Sequence, residues 1–415
     1  MKTERYPNVR DELQKSDLTD ATVAGFRASS TAAGVKPGKA SRDDMTLIAA
    51  DSPVVAAAVF TRNVVRAAPV QLAAEILRRG RCQALLMNSG NANACTGAQG
   101  LKDARDLCRE VAERMGIPET LVVPASTGVI GTPLPVQRMR AAIPTLVAQL
   151  RPDGFSSAAR AIMTTDTFPK LSVQRGTVGN REITVLGFAK GAGMIQPDTA
   201  TMLCTILTDA AVDHEALDKA LRQAVDQSFH RLTIDGDTST NDMVLVMAGG
   251  AAGNEPLALG TPAMDRFADL LKGCTLELAR MIARDGEGAT KFVEVIVQGA
   301  PSREAARTMA RKIANSPLVK TAFYGQDANW GRIIVAAGTS GVPFDPGRFD
   351  ISFDDVLLVK DGVRVSDEAE KAAHEVLKRS AFSITLDLKA GPARDSVFTC
   401  DMSLDYVKIN AEYRT

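Results

Sequence analysis

The sequence predicts an α+β fold, an α/β sandwich in which helices cover largely antiparallel or mixed sheets. Three observations carry this expectation. Short apolar runs and amphipathic helical patterns mix along the whole chain, a Gly179-Asn180 pair joins two strand patterns, and no regular strand–helix–strand rhythm appears. A chain of 415 residues has ample core for two or three domains or for one composite fold.

Residues 45–50 and 54–61 look like paired strands, and 84–88 form another that empties into the small-residue loop 89–97. Leu101, Ala104, Leu107, Cys108, Val111, Ala112 and Met115 recur at helical spacing with charges between them. A strand from 121 feeds a tight turn at Gly131, and 135–149 is helical with Pro144 limiting or kinking it. Residues 171–178 and 181–189 are the hairpin strands, and 202–207 is an apolar buried strand. Helices are expected at 212–229, 262–284, 303–314 and 367–379, with strands from 243 and 292 and near 384–388. In the tail, Phe398, Cys400, Met402, Leu404 and Tyr406 alternate with period two, which predicts a strand with one buried face.

Composition excludes several classes of function. Hydrophobic content is 45% and charged content 24%, as in ordinary globular proteins. Lysine plus arginine equals aspartate plus glutamate at 49 each, with no basic run interleaved with aromatics, so no nucleic-acid partner is expected. No run approaches the roughly 20 apolar residues that span a bilayer, and Met1 leads into charged residues without an apolar core. No membrane and no secretory leader are expected, and a cytoplasmic location is. Six scattered cysteines without a Cys-x-x-Cys pair suit reduced thiols rather than disulfides or zinc. Three histidines serve poorly any chemistry that needs a histidine triad.

The chemistry concentrates in Lys190-Gly-Ala-Gly-Met-Ile-Gln-Pro-Asp-Thr-Ala-Thr-Met-Leu-Cys204. A glycine-punctuated turn and a Gln-Pro-Asp corner deliver Ala200 and then Thr201 to the mouth of a buried strand. This is the layout of a chain that cuts itself. The threonine Oγ attacks the preceding carbonyl, and the new terminus then carries both a nucleophile and an amine base. On local chemistry alone two loop glycines and a strand-opening threonine are the better explanation, because Ala-Thr pairs are common and any loop holds glycines. Ser126-Thr127-Gly128 offers a hydroxyl beside a glycine N–H, the donor pair of an oxyanion hole, or simply a turn. Lys190 binds a carboxylate, lowers the pKa of the new amine, or is a solvated surface lysine. Glu287, between two glycines, either holds an ammonium or is an exposed carboxylate. Asn410 to Thr415 either forms a polar tip that tucks into a site or frays, as chain ends usually do.

Phosphate-binding motifs fail. The Gly34–Lys39 stretch is too short for a P-loop, and Lys190-Gly-Ala-Gly193 lacks the third glycine of a dinucleotide fingerprint. The oxygen-rich loop 233–242 fails the EF-hand pattern at Thr240, which leaves capping and turn formation as its expected role and substrate contact as the lesser one.

Taken together, the motifs resemble the ornithine acetyltransferase family, the glutamate N-acetyltransferases of arginine biosynthesis. The stretch from Lys190 is similar to that family's self-cleavage motif. So are Asn88-Ser-Gly-Asn-Ala-Asn-Ala-Cys-Thr-Gly97, Ser126-Thr-Gly-Val-Ile-Gly131, Met163-Thr-Thr-Asp-Thr167 and Asp237-Thr-Ser-Thr-Asn-Asp242 to its other motifs. Asp285-Gly-Glu-Gly-Ala-Thr-Lys291, Asp327-Ala-Asn-Trp-Gly-Arg332 and Ile409-Asn-Ala-Glu-Tyr-Arg-Thr415 complete the set, in order along the chain. The resemblance implies cleavage between Ala200 and Thr201. An α chain (1–200) and a β chain (201–415) then form one composite unit of a fold like the N-terminal-nucleophile hydrolases, commonly assembled as an α2β2 heterotetramer. It implies Thr201 as nucleophile, Thr127 and Gly128 as oxyanion hole, and a substrate pocket of Thr164, Lys190, Thr201, Glu287, Asn410 and Thr415. The acetyl group passes from N2-acetyl-L-ornithine to L-glutamate with no metal or organic cofactor, and use of acetyl-CoA as a donor is left open. The alternatives are an aminopeptidase or amidohydrolase of the same architecture, resolved by water, and a non-catalytic scaffold.

Overall fold

The computed structural model describes residues 21–36, 42–196 and 202–412. Two sheets organise it. The first holds β1 (Phe26–Thr31), β2 (Met45–Phe60), β3 (Arg81–Asn91), β4 (Val122–Val129), β5 (Lys170–Val178), β6 (Arg181–Lys190), β7 (Leu203–Thr208) and β8 (Met243–Ala248). Its order is β4-β3-β2-β8-β7-β6-β5, with β1 paired to β2. Helices α1 (Ala68–Leu77), α2 (Gly97–Met115), α3 (Val136–Ala148) and α4 (Phe155–Ala161) cover one face, and α5 (His214–Gln227) and α6 (Pro262–Arg284) cover the other.

The apolar runs of β7 and β8 follow from this double cover. Leu203 and Leu207 pack into the core under α1–α4, while Cys204 and Ile206 pack under α5 and α6. In β8, Met243, Leu245 and Met247 face the first core, and Val244 and Val246 the second. A strand buried on both faces cannot alternate with polar residues. Each fully buried aliphatic side chain contributes roughly 1.5–3 kcal/mol.

The second sheet holds β9 (Phe292–Ala300), β10 (Asp350–Phe353), β11 (Val356–Lys360), β12 (Val363–Arg364), β13 (Ala381–Asp387) and β14 (Ala393–Cys400), in the order β12-β11-β10-β13-β9-β14. Around it lie α7 (Arg303–Ala314), α8 (Pro317–Tyr324), α9 (Trp330–Gly338), α10 (Asp367–Leu377) and α11 (Leu404–Glu412). Phe292 and Phe398 stack 5.9 Å apart and belong to the core under α5 and α6, which joins the two sheets. The expected layered α+β class is what the chain adopts.

Three expectations are corrected. The two strands expected at 45–61 are one strand, β2, with Asp51, Ser52 and Pro53 exposed where its pairing to β3 shifts register. Its first half pairs with β1 and its second with β8, so a bulge does what the sequence suggested a turn would do. The alternating tail is strand only to Cys400. Asp401 then accepts the N–H groups of Thr290 and Lys291 at 2.8 and 2.9 Å, and the chain turns into α11, with Leu404 exposed. Helices α8 and α9, absent from the sequence expectation, carry legible caps. Ser316 before Pro317 accepts the Val319 N–H, and Asn329 accepts the Arg332 N–H.

Candidate active site

Strands β6 and β7 are antiparallel neighbours, with Lys190 directly opposite Leu203. The chain between them therefore leaves and rejoins the sheet at one end. A cavity of about 400 Å³ opens there, and Thr127, Gly128, Thr164, Lys190, Glu287 and Asn410 all line it. These six expected residues come from the ends of β4 and β6, the segments after α4 and α6, and α11. Ala200, Thr201 and Thr415 lie outside the described residues.

The donor pair Thr127-Gly128 sits at the end of β4, where pairing with β3 shifts register around Gly90 and Asn91. Gly128 has φ +133°, and a Cβ there would lie 2.3 Å from the Gly90 carbonyl carbon. Only glycine allows this approach. Ser126 donates from Oγ to Asn88 Oδ1 at 2.7 Å, which anchors the residue before the pair.

Lys190 is 3% exposed, which rules out the solvated surface lysine. Burial lowers its pKa, while Asp166 and Glu287 resist that fall and Lys170 adds to it. Among the described residues its ammonium makes no hydrogen bond. Its neighbours are otherwise tightly held. Asp166 accepts from Lys170 Nζ at 2.6 Å, the Gly191 N–H at 2.7 Å and the Thr164 N–H at 2.9 Å, fixing Thr164 and the start of the turn together. Against the desolvation of burial, Lys170 and Lys190 hold that carboxyl well below the usual range. Lys170 also donates to Asp285 at 2.6 Å.

Glu287 is buried too. Its N–H donates to the Ala192 carbonyl at 2.8 Å, and its carboxylate accepts from Asn410 Nδ2 at 2.9 Å. Gly193 makes room for it, since a Cβ at 193 would lie 2.4 Å from the Glu287 carboxyl carbon. Gly193 thus serves packing.

The loop 233–242, expected mainly to cap and turn, forms a wall of the cavity. Asp235 accepts the N–H groups of Met194 and Ile195, at 2.5 and 2.8 Å, and Met194 adopts a left-handed φ of 56° under this clamp. Burial raises the Asp235 pKa to about 6 despite those N–H donors. Asn241 Nδ2 donates to the Ala92 and Ser126 carbonyls at 2.6 and 2.9 Å. Asp242 accepts the Met202 N–H at 3.0 Å. The signal was present as a density of short oxygen-bearing side chains, but such residues equally make turns. Tyr406, also on the wall, has its phenol pushed up by burial and by Asp235 and Glu287.

All six cysteines are free, and burial pushes the thiols of Cys82 and Cys274 up to about 12 and that of Cys204 well up. These thiols are not nucleophiles at neutral pH. No helix among the described residues is long and apolar enough to cross a membrane.

The ArgJ family model matches residues 27–415. The chain belongs to the ArgJ family. An arginine biosynthesis bifunctional protein ArgJ from Geobacter sulfurreducens is 52% identical over 95% of this chain and all of its own length. One from Symbiobacterium thermophilum is 49% identical over 94% of this chain and 97% of its own length. Among solved structures, the arginine biosynthesis bifunctional protein argJ from Bacillus halodurans is 42% identical, covering 50% of this chain and 97% of that one with a TM-score of 0.48. An ornithine acetyltransferase from Mycobacterium tuberculosis complexed with ornithine is 33% identical, covering 45% and 98% with a TM-score of 0.38. The family expected from the motifs is met, and as an ArgJ protein the chain is an enzyme.

Proposed function

We propose that this ArgJ protein transfers the acetyl group of N2-acetyl-L-ornithine to L-glutamate through an acetyl ester on Thr201. The observation that carries the reading is the charge layout of the cavity. A buried ammonium, Lys190, without a hydrogen bond among the described residues, shares about 400 Å³ with a buried carboxylate, Glu287. An unpaired buried charge is costly unless a ligand completes it. Lys190 suits a substrate carboxylate and Glu287 a substrate ammonium, and amino acids carry both.

In this reading the Thr201 Oγ first attacks the Ala200 carbonyl. The peptide C–N bond breaks and the nitrogen takes the hydroxyl proton, which frees the Thr201 amine; water then hydrolyses the resulting ester, restoring the Thr201 hydroxyl and leaving Ala200 with a terminal carboxylate. That amine then accepts the Oγ proton as Oγ attacks the acetyl carbonyl of acetylornithine. The Thr127 hydroxyl and the Gly128 N–H receive the negative charge, a service whose loss costs about 10²–10³ in rate per donor. The acetyl C–N bond breaks, ornithine leaves with the proton, and the glutamate amine takes the acetyl group from the ester. Thr164 and Asn410 complete the pocket, with Thr415 at its rim. The cleaved α (1–200) and β (201–415) chains stay together as an α2β2 assembly in the cytoplasm.

The decisive test is denaturing electrophoresis with N-terminal sequencing. Two fragments of roughly half size, one beginning Thr-Met-Leu-Cys, are expected, and Thr201→Ala should give one intact chain without transferase activity. An intact wild-type chain with full activity overturns the nucleophile. Acetate instead of acetylglutamate as the product overturns the transferase in favour of a hydrolase. Rates with acetyl-CoA in place of acetylornithine define the donor range.

A further inference from the structure

Asn241 is 4% exposed and uses both hydrogens of its amide on carbonyls from two different strand ends. The Ala92 carbonyl follows β3, and the Ser126 carbonyl lies in β4. Its Oδ1 accepts from Thr240 Oγ1 at 2.6 Å and its N–H donates to Ser239 Oγ at 3.1 Å, so the side chain and its own backbone are both held. The Ser126 carbonyl and the Thr127 N–H belong to one planar peptide. Fixing that carbonyl therefore fixes the peptide plane that ends at the Thr127 Cα, from which the Thr127 side chain branches and the next peptide, with the Gly128 N–H, begins. The opposite edge is already tight, because Gly128 lies against Gly90 and the Ala92 N–H donates to the Val129 carbonyl at 3.0 Å.

From this geometry we infer that Asn241 is a positioning residue for the oxyanion site, holding the Thr127–Gly128 donor pair by bridging the carbonyls at the paired ends of β3 and β4. The inference rests on the reading of that pair as the oxyanion hole. Asn241 lies beyond the cleavage point and both its acceptors before it. The donor pair thus stays in register only while the two parts remain packed together.

The test compares Asn241→Asp and Asn241→Ser, alone and combined with Thr127→Ala, in steady-state acetyl transfer normalised to cleaved chain. Asn241→Asp keeps the shape but sets an acceptor in place of the donor against two carbonyl oxygens, whereas Asn241→Ser is too short to reach them. Each is expected to lower kcat about ten- to a hundredfold, the scale of a small misplacement of catalytic groups, with KM nearly unchanged. Added to Thr127→Ala, either should cost less than about threefold more, because the hole it positions is already broken. Multiplying losses, or a change confined to KM, overturns the inference while leaving the oxyanion hole standing. A Thr127→Ala enzyme with full kcat overturns the hole itself. Wild-type kcat in Asn241→Asp overturns the inference, and if that variant does not fold, Asn241→Ser decides.

Discussion

Lys170 and Lys190 stand at the two open ends of one hairpin, Lys170 beginning β5 and Lys190 ending β6, with Lys170 directly opposite Ala189. Both are buried, yet their surroundings differ in kind. Around Lys170 the protein supplies two carboxylates, Asp166 and Asp285, each 2.6 Å from the ammonium. Around Lys190 it supplies fields from Asp166 and Glu287 but no hydrogen bond among the described residues, and a cavity instead. A buried cation completed by the fold is architecture, and one left open toward a pocket fits the binding role proposed for Lys190.

The comparison breaks if the two lysines respond alike to removal of their charge. Lys170→Met leaves two buried carboxylates sharing no cation and should destabilise by about 3–5 kcal/mol, measured as a lowered urea midpoint. Lys190→Met should leave that midpoint nearly unchanged or raise it. Transfer should weaken by about 1.5–3 kcal/mol, the worth of a hydrogen bond to a charged group, measured as a raised KM. Loss of stability in the second variant, or its absence in the first, would reverse the assignment.

Asp235 sharpens the picture from the other wall. Its folded pKa of about 6 lies above the ordinary 3.8, so the folded state binds the proton more tightly than the unfolded one. Its contribution favours folding below pH 3.8 and is lost as pH rises toward 6. Asp235→Asn should flatten that part of the stability profile, followed by urea unfolding at pH 4, 5 and 6, and an unaltered slope would refute the shift. The smallest effect is expected at Asn410, an exposed residue whose bond to Glu287 is worth about 0.5–1.5 kcal/mol. Asn410→Ala should raise KM severalfold without moving the midpoint.

Legibility followed the range of the interaction. Helices α2, α6 and α7 and the Gly179-Asn180 hairpin were readable because periodicity and turn chemistry are local. The single strand β2 was not, because its continuity depends on β1 and β8 as successive partners. In the site, the six candidates line one cavity, and the loop 233–242 adds a wall to its expected turns, since Asp, Ser, Thr and Asn make turns and pocket walls with the same atoms.

The sequence by itself determined the layered α+β class and, through motifs running in order from Asn88 onward, the family. It also marked Thr127, Gly128, Thr164, Lys190, Glu287 and Asn410 as candidates. Tertiary structure alone decided that these six, spread over nearly 300 positions, face one cavity. It alone decided that, among the described residues, Lys190 lacks the carboxylate hydrogen bonds given to Lys170, and that Asn241 spans two strand ends. Burial and hydrogen-bond completion are properties of neighbours distant in the chain, and no local pattern encodes which neighbours arrive.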